Sequence, residues 1–143
     1  MSEANEVEAV IRGIFRDFMD HKPGAIEERQ HPDCTVWDVF TPDLIRGLEE
    51  RKKFHAKDQQ QMQARGPLTL NVDAPVVDAW DNVAVARYYV MFSYAAPNPT
   101  AGRVRVTSVF RKIDGRWLMV HHHEGLVPTG HPPIEPPAGA NST

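Results

Sequence analysis

Val104-Arg105-Val106-Thr107-Ser108-Val109-Phe110-Arg111-Lys112-Ile113, then Asp114-Gly115, then Arg116-Trp117-Leu118-Met119-Val120-His121-His122-His123-Glu124-Gly125, is the stretch that decides the fold. Two alternating runs flank Asp-Gly, a dipeptide that tolerates the positive φ a tight hairpin turn needs at both central positions. A two-residue loop pairs Ile113 with Arg116. It therefore predicts Phe110 opposite Met119, Ser108 opposite His121 and Val106 opposite His123. Two imidazoles then sit on an apolar face. The opposite face carries Arg103, Arg105, Thr107, Val109 and Arg111 against Leu118, Val120, His122 and Glu124, with Arg105 across from Glu124. A one-residue change in loop length reverses these faces for one strand.

Upstream of the hairpin, 68–80 and 83–94 read as two long strands joined at Asp81-Asn82, with Pro75 marking an edge or a bulge. Residues 95–102, with Pro97 and Pro99, form the loop between them and the hairpin. A helix is predicted over about 48–64, opened by Arg46-Gly47 and closed by Gly66-Pro67. Its inward stripe, Arg51, Phe54, His55, Asp58 and Met62, is unusually polar and predicts a wet cavity beneath it. Thr35 to Phe40 reads as a short strand with Val36, Asp38 and Phe40 on one face and Thr35, Trp37 and Val39 on the other.

At the start of the chain Val7, Val10, Ile11, Ile14, Phe15, Phe18 and Met19 recur at helical spacing, which predicts a helix over about 3–21. Lys22-Pro23-Gly24 breaks it, and 25–30 reads as a second short helix stopped by His31-Pro32-Asp33. Residues 1–127 make one domain. Residues 128–143, rich in Pro, Gly, Ser and Thr, read as a flexible tail that buries too little apolar area to order itself.

The chain has 143 residues, a length that supports one core without staples. Nineteen acids against sixteen Lys and Arg give a formal charge of -3, which argues against nucleic acid as a partner. Cys34 is the only cysteine, so no intrachain disulfide forms. The acidic start lacks the order of a signal peptide, and no apolar run is long enough to span a membrane, so a soluble, cytoplasmic protein is expected.

Helix, short helix, strand, helix and then long antiparallel strands is an α+β order. The first helix, His31-Pro32-Asp33 before Val36-Trp37-Asp38, Gly47 ahead of the next helix, and the ending from Arg105-Val106-Thr107 through Asp114-Gly115-Arg116-Trp117 to His121-His122-His123 resemble the nuclear transport factor 2-like superfamily. Within it the sequence is most similar to the SnoaL-like and ketosteroid-isomerase-like small proteins, over roughly residues 5–127. That resemblance implies a cystatin-like cone: a curved antiparallel sheet with the N-terminal helices packed on its concave face. It implies acid-base chemistry in the cavity between them, without a cofactor, and a homodimer paired through the convex sheet face.

Several residues are candidates for that chemistry. Asp38 lies near where the isomerases carry their base, and burial raises a carboxyl toward a useful basicity. His121 and His123 form an acid-base or donor pair, since imidazole titrates near neutrality, and His55 joins them as a catalytic candidate. Trp37, Phe54, Asp58, Tyr89 and Trp117 are candidates for binding substrate. His55, His121, His123 and Asp38 or Asp58 have the right types to ligate a metal, but no helical His-x-x-x-His spacing occurs and no metal is expected. The expected function is cofactor-free proton transfer on a small hydrophobic molecule, aromatic or polycyclic, as an isomerase or a lyase, including carbon-carbon cleavage. The alternative is a non-catalytic ligand-binding or association module.

Overall fold

The computed structural model describes residues 2–97, 99–128 and 130. Helix α1 (Glu3–Met19) follows an N-cap at Ser2, whose hydroxyl accepts from the Asn5 amide at 3.1 Å, and Glu3 and Glu6 complement the positive end of its dipole. Helix α2 (Pro23–Glu28) begins on a proline, whose fixed φ suits a first helical position. Then come β1 (Gln30–Trp37), β2 (Ile45–Arg46), α3 (Gly47–Arg65), β3 (Leu68–Val72), β4 (Val76–Trp80), β5 (Val83–Tyr94), β6 (Thr100–Ile113) and β7 (Arg116–Leu126). They form one seven-stranded sheet in the order β2-β1-β7-β6-β5-β3, with β4 also paired to β5. Every pairing is antiparallel except β1 with β7, so the sheet is mixed.

The stripe on α1 packs as its spacing predicts. Val7, Ile11, Ile14 and Phe15 meet Ala84, Ala86, Tyr88 and Val90 of β5, Val104, Val106 and Phe110 of β6, and Trp117 and Met119 of β7 in one core. Gly13 leaves the space in which the Arg29 guanidinium crosses α1, and Arg29 Nε donates to the buried Asp17 carboxylate at 3.1 Å. Trp117 Nε1 donates to Glu6 Oε2 at 3.1 Å, tying the first turn of α1 to β7.

The hairpin turn is as expected: Asp114 and Gly115 take φ of 51° and 77°, and Ile113 pairs with Arg116. Phe110 likewise pairs with Met119. Beyond that point the ladder shifts, because Val109 pairs with His121 and leaves Val120 as an extra residue, a β-bulge. Ser108 therefore faces His122, Val106 faces Glu124, and Arg105 faces Gly125. The expected faces hold from Trp117 to Met119 and are exchanged from His121 onward. His122 and Glu124 point inward; His121 and His123 point to the convex side.

Other boundaries also differ from the sequence reading: α2 covers 23–28 rather than 25–30, and β6 begins at Thr100, within the stretch 95–102 read as a loop. The strand expected over 35–40 starts at Gln30 and ends at Trp37, since Gln30 pairs with Met119 before an irregularity that carries His31 to Cys34 off the ladder. Pro32 lies in that irregularity, where no donor is required of it. The strand expected over 68–80 is two strands, both paired to β5: Val72 faces Val90 and Val76 faces Arg87, with Pro75 in the bulge between them.

Phe110 is fully buried and Trp117 nearly so. We expect Phe110→Ala to cost about 3–5 kcal/mol, and Trp117→Phe, which removes the bond to Glu6 and part of a buried ring, about 2 kcal/mol. Denaturant unfolding of the two variants measures both.

Candidate functional site

Between the helices and the concave sheet face lies a cavity of about 170 Å³. Phe15, Phe18 and Ile26 from α1 and α2, Leu70, Val90, Phe92 and Val104 from the sheet, and Phe54 from α3 give it apolar walls. The polar stripe of α3 opens onto it as expected, through Arg51, His55 and Asp58. Asp38, His122 and Glu124 complete the polar lining with Gln30.

Asp38 stands immediately after β1, in the turn that leaves the sheet. Its Oδ2 accepts from the Phe40 amide and from Thr41 Oγ1, both at 3.0 Å, which fixes the carboxyl against the cavity. Burial, then the negative charge of Glu124, raises it from an ordinary 3.8 to about 6 against the opposing pull of those two bonds. Burial alone would raise Glu124 as well. His122, through a hydrogen bond and its charge, together with hydrogen bonds from the Asp38 carboxyl and the Val39 amide, instead holds Glu124 below the usual carboxylate range. Two carboxyl groups with one hydrogen bond between them are thus pushed apart, one anionic and one ready to take and release a proton near neutrality.

A buried row of polar groups stands behind Glu124. Tyr88 Oη lies 2.9 Å from Ser108 Oγ, Ser108 Oγ 2.9 Å from His122 Nδ1, and His122 Nε2 3.1 Å from Glu124 Oε2. An ionised carboxylate only accepts, so Nε2 carries a hydrogen. Ser108 Oγ links His122 Nδ1 to the Tyr88 hydroxyl, which can donate to it. Burial holds the Tyr88 hydroxyl above its usual range, which keeps its proton available for this donation.

Asp58, one α3 residue among the lining groups, is also raised, by burial and then by Glu124, with Arg65 opposing. His55 is lowered, chiefly by burial, with Glu27 raising it and Arg51 lowering it again. Burial pushes the Cys34 thiol up to about 12, so it stays protonated and unreactive at neutral pH.

The structure brings together Asp38, His55, Phe54 and Asp58 from the sequence candidates. It does not bring the others to the cavity. His121 and His123 lie on the convex face as a result of the bulge at Val120: His121 Nδ1 is 2.7 Å from Thr35 Oγ1, and the His123 ring is 6.4 Å from that of Trp37. Trp37 and Tyr89, at 39% and 38% exposure, point to the same side, and the Arg103 guanidinium lies 4.4 Å over the Tyr89 ring. Trp117 is a core residue on the bond to Glu6. The sequence reading missed His122 and Glu124, as well as Ser108 and Gln30. Ser108 faces a histidine in either register, His121 as expected or His122 as found, so the local pattern carries no signal that separates the two. Among the described residues no three His, Cys, Asp or Glu side chains are grouped to hold a metal ion, and no helix is long and apolar enough to cross a membrane.

Helices on the concave face of a curved sheet, over a cavity with its own acid pair, define a cystatin-like, NTF2-like protein. The chain belongs to the SnoaL-like domain family, whose model matches residues 7–129. Solved structures agree on the fold. An NTF2-like protein from Novosphingobium aromaticivorans shares 14% identity over 87% of this chain and 82% of its own, with a TM-score of 0.76. The CaMKII hub homology domain of Chlamydomonas reinhardtii shares 23% over 90% and 100%, with a TM-score of 0.73. A candidate ketosteroid isomerase from Shewanella frigidimarina shares 15% over 82% and 92%, with a TM-score of 0.69. No curated protein matches the sequence.

The raised Asp38 carries a signature in stability. Its folded value lies above its unfolded 3.8, so the proton it binds stabilises the fold below about pH 4, and that contribution is lost as pH rises to about 6. We expect Asp38→Asn to remove this part of the pH dependence and to raise Tm at pH 8, because an amide at this position donates to Glu124 at every pH. Thermal melts of the two proteins from pH 4 to pH 8 measure the difference.

Proposed function

We propose that the protein is an acid-base enzyme that moves a proton on a small hydrophobic substrate held in the cavity. The observation that carries this reading is a cavity-facing carboxyl, Asp38, raised to about 6 beside a second carboxyl that stays ionised. Asp38 takes a proton from a carbon next to a carbonyl group. It returns that proton to another carbon in an isomerisation, or to the departing group in a lyase reaction. Asp58, raised by burial, lines the same cavity and contacts the substrate beside Asp38. Phe54 packs on the substrate. His123 and Tyr89, both expected at the cavity, face the other side of the sheet and take no part.

The size of the cavity narrows the substrate. A closed apolar cavity of roughly 150 Å³ holds benzene, so about 170 Å³ suits a single ring with small substituents better than a polycycle. The test is solvent-proton exchange. Deuterium uptake beside the carbonyl of 4-ethylcyclohexanone and of propiophenone, followed by proton NMR in D2O, should be catalysed by the wild type. Asp38→Asn should slow it by about two orders of magnitude, the scale expected for removal of a positioned base. His123→Ala should leave it within about twofold, since that side chain points away from the cavity. Uptake at the buffer rate, or an unaffected Asp38→Asn, contradicts the reading.

The second reading is an association module, in keeping with the likeness to a hub homology domain. The convex face favours pairing of two copies: Trp37, Tyr89 and Met91 expose apolar area there among Arg103, Arg105, His121 and His123. We propose a homodimer through this face. Sedimentation at micromolar concentration should give twice the 16.1 kDa chain mass, and Tyr89→Glu should shift the protein toward the monomer while leaving exchange chemistry in place.

A further inference from the structure

Among the described residues, four buried polar side-chain atoms have no hydrogen-bond partner: Glu27 Oε1, Gln30 Oε1, Arg51 Nε and His55 Nε2. Glu27, Arg51 and His55 adjoin one another, and Gln30 lines the same cavity as Arg51 and His55. Arg51 Nη2 donates to Glu27 Oε2 at 2.6 Å, and His55 Nε2 stands 3.7 Å from Glu27 Oε1, too far for a hydrogen bond. Gln30, Arg51 and His55 all line the cavity. Gln30 is only 8% exposed, and its amide nitrogen has the Met119 sulfur, 3.8 Å away, as its one partner, a weak acceptor that leaves the amide almost free to turn.

A buried polar atom without a partner is costly, and a protein that gathers four of them at one wall gains nothing in stability by it. They are what a ligand group would complete. We propose that Gln30, Arg51 and His55, with Glu27 behind them, form a hydroxyl-binding subsite at the α2 side of the cavity, and that the ligand is a neutral molecule bearing an alcohol or phenol group.

The chemistry of the atoms selects that group. Gln30 offers an acceptor and Arg51 a donor, while the ring of His55 offers one or the other; a hydroxyl both donates and accepts. The guanidinium of Arg51 is already matched by Glu27, so the wall has no net charge to draw an anion, and an anion would face the Glu27 carboxylate. This inference rests on the cavity being the substrate site but not on Asp38 being a base. The two groups are separate: Gln30 pairs with Met119 at the start of β1, whereas Asp38 follows Trp37, which pairs with His123 at its end. The ligand thus carries its reacting carbon at one end and its hydroxyl at the other.

Calorimetric titration of the full chain with 4-ethylphenol, ethylbenzene and 4-ethylbenzoate tests the subsite. Wild type should bind 4-ethylphenol about tenfold tighter than ethylbenzene, the effect of one or two buried hydrogen bonds, and 4-ethylbenzoate more weakly than 4-ethylphenol. Gln30→Leu and His55→Leu should each cut the preference for the phenol to about threefold or less, keep ethylbenzene affinity, and melt no lower than wild type, because no strong hydrogen bond is lost. Asp38→Asn should retain the preference. Equal affinity for 4-ethylphenol and ethylbenzene, a preference that survives both leucine variants, one that disappears with Asp38→Asn, or a Tm lowered by more than about 5 degrees in both leucine variants would overturn the proposal. Loss of proton exchange with the phenol preference intact would instead remove the proposed function and leave the subsite standing.

Discussion

One extra residue in β7 decides which side chains of the last strand reach the cavity. Val120 has no partner in β6, and from that point the strand presents its other set of side chains to the cavity. Without the bulge, two rings would face inward with no carboxylate between them. With it, His122 meets Ser108, Glu124 meets the Asp38 turn, and a polar row from Tyr88 to Asp38 crosses a face that is otherwise apolar. A bulge also adds twist and bend to the strand that carries it. The residue that selects the acid pair therefore also helps curve the sheet around α1.

The neighbouring irregularity in β1 supports the other wall. His31 to Cys34 leave the ladder, and the carbonyl groups of His31, Pro32 and Cys34 would lie unpaired there. Arg51 takes all three, with bonds of 3.3, 3.2 and 2.7 Å, and its charge is met by Glu27. A fully buried arginine thus anchors a helix that has almost no apolar face of its own. Removing one partner of such a set leaves the other buried and uncompensated. This explains how α3 can show polar side chains to a cavity and still dock: Arg51 holds it by hydrogen bonds, and Met62 by burial near its far end.

How much of this can be read from the sequence depends on the range of the interaction. The stripe of α1, the Asp114-Gly115 turn and the polar stripe of α3 are local patterns, and each forms as its spacing predicts. Asp38 and His55 were legible as residues facing the cavity because a polar group among apolar neighbours stands out within one element. The bulge was not legible, since alternation through His121-His122-His123 reads equally well in either phase, and the choice falls to partners on β6 and in the turn after β1. Gln30 was hidden for a related reason: Pro32 reads as a stop, whereas the chain keeps its direction and rejoins β7 at Thr35. Trp117 and Tyr89 are large aromatics whose type suits a cavity wall, but their phase in β7 and β5 sends one to the core and the other to the convex face.

The coupling of Asp38 to Glu124 is the centre of this account, and carbon-13 NMR of the aspartate carboxyl groups across pH measures it most directly. Asp38 should titrate at about 6 in the wild type, and its midpoint should fall in Glu124→Gln, where the neighbouring charge is gone. A midpoint at the ordinary aspartate value, or one that Glu124→Gln leaves in place, would contradict it.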